Sequence, residues 1–285
     1  MLVDLKTLVD EAARRHRAVG AFNTVNLESV RAVIDAAEKR GEPVILQHAE
    51  LHETIAPLTI IGPIMLDAAK RAQVPVCVHL DHGEDPAYLK QALDLGFTSV
   101  MIDASAKSFE ENVAITQKVV VLAEQYGASV EAELGRVIRP ASGGGCDDPV
   151  HLPPDAAYTD PEAAVKFAAA TRIDALAIAF GTAHGVYAVK PKLDVGRVVA
   201  VREAVGLPLV MHGGSGVSPA DYRRAIQNGI AKVNYFTYMS LAGAAGVHAL
   251  LQEKGERVRF DEMAEAARLA MQADVERAMA LFAGE

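Results

Sequence analysis

The segment VPVCVHLDHG, residues 74–83, passes without a break from an apolar run into an acid, an imidazole and a glycine. Val76–Leu80 is nearly all apolar and rich in β-branched side chains, as a strand is when both its faces are buried in a parallel sheet. Asp81, His82 and Gly83 mark where that strand gives way to a loop. The same grammar recurs twice. Ala175–Ala179 runs into FGTAHG with His184, and Leu209–Met211 into HGGSG with His212. Further runs at Val19–Phe22, Val44–Gln47, Ser99–Ile102, Ser129–Glu133 and Ala231–Asn234 bring the strands to eight.

Amphipathic stretches separate these runs, among them Leu27–Arg40, Pro86–Leu95, Phe109–Tyr126, Pro161–Ala170 and Pro219–Asn228. Eight strands with seven intervening helical segments predict an α/β fold, a (β/α)8 TIM barrel. Extra C-terminal helices are expected over Met239–Glu253 and Phe260–Phe282, all within one domain spanning residues 1–285. A doubly wound open sheet is the alternative, but it sets the three histidines along a line rather than around a rim. The polar residues favour the barrel. Asn23, His48, Asp81, His82, Asp103, Glu133, Thr182, His184, His212 and Asn234 all fall at or just beyond strand C-termini. In a barrel that edge is the active face, because the βα loops converge there.

Composition narrows the function classes. A net charge of −9 argues against nucleic acid as a partner, since backbone phosphates call for clustered Lys and Arg. No apolar run reaches the 18 residues of a membrane span, and the N-terminal MLVDLKTLVDEAARRHRAVG reads as an amphipathic helix rather than a signal peptide. Cys77 and Cys146 lie in unlike contexts, an apolar strand and a glycine-rich loop. No disulfide framework is expected, which suits a reducing cytoplasm.

Nine histidines are present, and a lone histidine is usually structural or solvated. His16 and His248 lie on helices, His151 in a loop, His79 inside a strand, and His48 with His52 near a strand end. His82, His184 and His212 differ: each closes a strand and each is followed by glycine. Three imidazoles with an open position suit catalytic Zn²⁺, with Co²⁺ or Mn²⁺ compatible with the same ligands. Alternation sends Asp81 to a different side of the strand end from His82. Its role is either a carboxylate orienting an imidazole or a general acid/base one substrate length from the metal. Gly181–Gly185, Gly213–Gly216 and Asn234–Thr237 follow the last three strands, where barrels hold phosphate through backbone amides and small hydroxyls. The Gly/Pro-rich Arg136–Tyr158 reads as a loop over the mouth.

In order, HLDHG, SVMIDAS, VEAELG, AFGTAHG, MHGGSG and KVNYFT resemble the class II, zinc-dependent ketose-bisphosphate aldolases, the group containing fructose- and tagatose-1,6-bisphosphate aldolases. The resemblance runs from AFN at Ala21 through Thr237. It implies a cytoplasmic homodimer or homotetramer that reversibly cleaves a ketose 1-phosphate or 1,6-bisphosphate to dihydroxyacetone phosphate and an aldehyde. His82, His184 and His212 would be the zinc ligands, with Asp103 and Glu133 at positions that hold a second or displaced metal, a second divalent or a monovalent cation. Asp81 would be the acid/base on the C4 hydroxyl. Gly185, Gly213, Gly214, Ser215, Asn234 and Thr237 would hold the phosphate, and Asn23 with His48 completes the substrate-binding set. The lysine-dependent route is disfavoured because Lys232 begins its strand.

Three departures fall on the aldehyde side. Cys146 stands where relatives carry a loop glutamate, with Asp147 beside it. His48–Ala49–Glu50–Leu51–His52 replaces a serine or threonine, and Arg257–Val258–Arg259–Phe260 replaces Asp-Pro-Arg. With Arg136 and Arg139 nearby, this half suits an anionic or strongly hydrogen-bonding tail. Two other readings remain open at this point: a zinc hydrolase on the same barrel, and a sugar-phosphate binder without turnover.

Overall fold

The computed structural model describes residues 1–137, 157–185, 191–255 and 257–285. Cys146, Asp147, Arg139 and His151 lie outside the described residues. Eight parallel strands, β2 (Val19–Asn23), β3 (Val44–Ala49), β4 (Val76–Gly83), β5 (Ser99–Ile102), β6 (Ser129–Leu134), β7 (Ala175–Ile178), β8 (Leu209–Met211) and β9 (Ile230–Tyr235), pair in sequence order. β9 also pairs with β2, and β4 with β5, so the ring closes. The barrel is the predicted one. A two-residue strand not foreseen, β1 (Leu2–Val3), pairs with Val76 and Cys77. Helix α1 (Leu5–Arg14) follows it.

Two apolar layers hold the barrel. The inner one joins Val19, Ala21, Ile45, Cys77, Met101, Ala175, Ala177, Val210 and Ala231 to Leu5, Leu8, Val9 and Ala12 of α1. Thus α1 plugs one end of the barrel with its apolar face. The outer layer joins Leu46, Val78, Leu80, Ile102 and Met211 to helices such as α2 (Leu27–Arg40), α3 (Leu58–Arg71), α4 (Pro86–Leu95) and α5 (Phe109–Glu124). The period of two along β4 assigns its parity. In β4, Cys77, His79 and Asp81 face inward, while Val76, Val78 and Leu80 face the helices.

α6 (Pro161–Thr171), α7 (Val195–Val205) and α8 (Pro219–Gln227) complete the outer ring. Beyond β9, α9 (Thr237–Lys254) and α10 (Phe260–Phe282) form the expected C-terminal pair. They cross closely. A Cβ on Gly246 would meet Ala270 Cβ at 2.7 Å and Ala266 O at 2.8 Å. No helix among the described residues is long and apolar enough to cross a membrane.

Candidate active site

The plugged end leaves the other end of the barrel to polar groups. Between Leu80 and Gly83 the β4–β5 register shifts, and His82 takes a left-handed backbone with φ 45°. That conformation is uncommon for a residue with a Cβ and costs on the order of 1–3 kcal/mol. Its effect is to turn His82 toward the mouth, beside Asp81. The separation of their side chains expected from alternation is therefore corrected: Asp81 Oδ1 lies 4.0 Å from His82 Nε2.

Around His82, the other two strand-end histidines converge. Its ring lies 4.4 Å from that of His212 and 5.0 Å from that of His184, centroid to centroid. One nitrogen from each of the three falls within 4.8 Å of the others. The outer nitrogens are oriented by carboxylates: His82 Nδ1 faces Asp103 Oδ2 at 2.8 Å, and His212 Nε2 faces Glu131 Oε1 at 2.9 Å. A carboxylate only accepts, so each outer nitrogen carries the proton and each inner nitrogen offers a lone pair. Burial lowers the pKa of His212, keeping that ring toward its neutral form. His82 Nε2 and His212 Nδ1 then face each other at 2.8 Å. With one nitrogen of His184 these two form a converging imidazole donor set, and such a set fits a zinc-type ion. His82, Asp103 and Glu133 form a second group of mutually close donors, with Glu133 Oε2 3.5 Å from His212 Nδ1.

Asp81 sits in a cradle of amides. Asn23 Nδ2 donates to its Oδ2 at 3.0 Å, Gln47 Nε2 to the same oxygen at 3.3 Å, and Asn234 Nδ2 to Oδ1 at 2.9 Å. Burial opposes ionisation of this carboxyl, but His82, His212 and Lys232 outweigh it and hold the pKa well below the usual range. Lys232 itself is a correction. Although it stands near the start of β9, it is fully buried inside the barrel, with Nζ 2.9 Å from Glu131 Oε2 and donating to Asn234 Oδ1 at 2.8 Å. Burial favours a neutral Glu131, yet Lys232 and His212 keep its pKa at about 2. Both Lys232 contacts oppose a role as a free amine nucleophile.

The last two loops meet at the rim. Gly213 has φ 63°, a conformation suited to glycine, and packs against Ala183. Gly214 N donates to Asn234 O at 3.2 Å, and Phe236 N to Ser215 Oγ at 3.2 Å, which ties the two loops together. Helix α9 starts at Thr237 with no side-chain cap, so its first N–H groups have no side-chain acceptor at the N-cap. Gly185, at φ 97°, follows His184 across the rim.

Residues 3–285 match the family described as fructose-bisphosphate aldolase class-II. This chain belongs to that family. It is 42% identical over 242 residues to the D-tagatose-1,6-bisphosphate aldolase subunit GatY of Klebsiella oxytoca, covering 85% of this chain and 83% of that protein. Among solved structures, the YdjI aldolase of Escherichia coli K12 superposes with a TM-score of 0.87 at 35% identity, over 99% of this chain and 97% of that one. A putative fructose-1,6-biphosphate aldolase from Coccidioides immitis gives 0.84 at 32% identity, over 98% and 95%. Membership makes the protein a lyase and sets the hydrolase alternative aside.

In this class-II aldolase the aldehyde side is less regular. His48 shares the outward parity of Leu46, is fully buried, and places Nε2 3.0 Å from Tyr88 OH. The Tyr88 hydroxyl donates onward to Glu53 Oε2 at 2.6 Å. Glu50 does not pair with His48. It accepts instead from Glu84 N and Asp85 N at 2.7 and 3.3 Å. His52 packs 5.0 Å from the Phe236 ring, centroid to centroid. Arg136 N donates to Ala157 O, closing the base of the long loop. Arg259 pairs with Asp261 on the surface.

Sequence reasoning passed over Gln47 and Glu131, and considered Lys232 only as an amine nucleophile. The available signal was charge or amide within otherwise apolar parallel strands, since buried ions need partners.

Proposed function

We propose that this class-II aldolase reversibly cleaves a ketose 1-phosphate or 1,6-bisphosphate to dihydroxyacetone phosphate and an aldehyde. The observation that carries this reading is the ionised Asp81, held by three amides and 4.0 Å from the nearest of three converging imidazoles. His82, His184 and His212 would hold a catalytic Zn²⁺, with Asp103 and Glu133 serving a second or displaced cation. When bound, the ion supplies Lewis-acid polarisation of the ketose carbonyl.

The chain's own residues do the rest. Gly185, Gly213, Gly214, Ser215 and Thr237 bind the C1 phosphate at the uncapped start of α9, while Asn234, its amide held between Lys232 and Asp81, lines the site beside them. That anchor sets the C4 hydroxyl against Asp81, with Asn23 orienting both. Asp81 accepts the C4 hydroxyl proton, the aldehyde departs, and the C3–C4 electron pair stays with the other half, which takes a proton from solvent at C3 to become dihydroxyacetone phosphate while Asp81 gives its proton back to solvent. In synthesis Asp81 returns the proton. As an ionised carboxylate it has a lone pair to accept with, and the amide cradle holds both its oxygens in place. His48 supports the aldehyde side from behind, through Tyr88 and the adjoining His52.

A panel of ketose 1-phosphates and 1,6-bisphosphates, scored for dihydroxyacetone phosphate, tests the proposal. Release from at least one member is expected. Tight binding with no release across the panel would instead leave a binder without turnover.

A further inference from the structure

We propose that Lys232 is a positioning residue that sets both halves of the reaction centre at once. One ammonium, fully buried, lies 2.9 Å from Glu131 Oε2 and donates to Asn234 Oδ1 at 2.8 Å. Each contact leads outward to a group in the proposed chemistry. Glu131 Oε1 lies 2.9 Å from His212 Nε2, and Asn234 Nδ2 donates to Asp81 Oδ1 at 2.9 Å. The inference rests on the assignment of Asp81 and His212 made above.

The chemistry of the donors gives the arrangement a direction. A carboxamide presents an acceptor at one end and donors at the other, whereas an ammonium only donates. With Lys232 against it, Asn234 must turn Oδ1 inward and Nδ2 toward Asp81. The reverse orientation would set a carbonyl oxygen against a carboxylate and leave an ammonium proton unpaired in the interior, where such groups are costly. On the other arm, an ion-paired Glu131 remains a strong acceptor for His212 Nε2–H, which leaves His212 Nδ1 to the cation site. His79 lies on the same inward parity, its Nε2 3.7 Å from Glu131 Oε2 and its Nδ1 2.8 Å from Ser99 Oγ. Lys232 thus couples the cation side to the proton-transfer side without touching substrate.

Zinc-loaded enzyme with Lys232→Met and with the neutral pair Glu131→Gln/Lys232→Met provides the test. Three quantities are read: zinc affinity by chelator competition, and kcat and KM for the preferred ketose phosphate at saturating zinc. Lys232→Met is expected to weaken zinc and to lower kcat about 10–100-fold, the usual effect of removing a ligand's outer partner, with KM nearly unchanged. The double variant, having no unpaired buried charge, should recover zinc affinity but not kcat, because nothing then orients Asn234. A kcat within twofold of the parent in either folded variant overturns the proposal. If neither folds, the zinc-loaded parent decides: NOEs from the Asn234 Nδ2 protons to Asp81 Hβ are expected, and NOEs to Lys232 Hε overturn it. Asp81→Ala and His212→Ala run alongside. Normal turnover in Asp81→Ala, or full zinc in His212→Ala, removes the underlying assignment, whereas losses there with unaffected Lys232 variants remove only this inference.

Discussion

His82 Nε2 and His212 Nδ1 face each other at 2.8 Å, while the opposite nitrogen of each ring meets a carboxylate, Asp103 or Glu131. This arrangement fixes the tautomers from outside and points two lone pairs at one place. Metal removal should therefore abolish cleavage, and Zn²⁺ or Co²⁺ should restore it. Alanine at His82, His184 or His212 should lose both bound zinc, measured by elemental analysis, and turnover. Full activity in a metal-free preparation would contradict the assignment.

Lys232 is buried in the barrel but engaged by Glu131 and Asn234. Borohydride added during turnover should leave it unmodified, as read by intact-protein and peptide mass spectrometry. A reduced adduct on Lys232 would point to the lysine-dependent route.

Gly214 allows the last two loops to approach. A Cβ there would lie 2.7 Å from both Asn234 O and Val233 Cγ1. Gly214→Ala should push the β9 loop outward and raise KM for a ketose phosphate about tenfold, roughly 1.4 kcal/mol of binding. The fold should persist, since the clash lies at the rim. Unchanged KM in steady-state kinetics would place the phosphate elsewhere.

The barrel and the convergence of the three histidines were legible because each depends on local pattern: an apolar run, a polar strand end, a glycine. Other features depend on the third dimension. Glu131 and Lys232 become partners only once the ring is closed, and Lys232 lies inside it beside an inner-layer Ala231, where the β8–β9 register shifts. His82 joins Asp81 only because a register shift and a left-handed residue break the alternation that the sequence implied. His48 stands at a strand end in the sequence, yet its parity matches Leu46 and it meets Tyr88 on α4. The length of α3 and α7 was hidden for another reason: Pro63 and Gly196 lie within them, and both residues argue locally against helix.

Acid should weaken the fold through His48. Burial, then neighbouring His52, lowers its pKa from 6.5 to about 4. Above pH 6.5 both folded and unfolded chains hold it neutral, and its contribution is complete. As pH falls from 6.5 toward 4 the unfolded chain binds a proton that the folded chain refuses, so stability drops by up to about 1.4 kcal/mol per pH unit from this group. Urea unfolding of metal-free parent and His48→Gln between pH 7 and 4.5 should give a shallower slope for the variant. Identical slopes would show that His48 titrates normally.

The same residue should separate the two halves of the reaction. His48→Ala is expected to raise KM for the ketose phosphate severalfold while leaving proton exchange on dihydroxyacetone phosphate intact. NMR of deuterium uptake measures the second activity. Equal loss of both would assign His48 to the cation half.

Asp81→Ala tests the central claim most directly, by measuring bound zinc and dihydroxyacetone phosphate release in the same preparation. The cradle amides and the three histidines survive this substitution, so zinc should remain at the parent level. Release should fall on the order of 10²-fold or more, the usual contribution of a positioned acid/base. Near-parental release with zinc in place would contradict the account and reduce Asp81 to an orienting carboxylate.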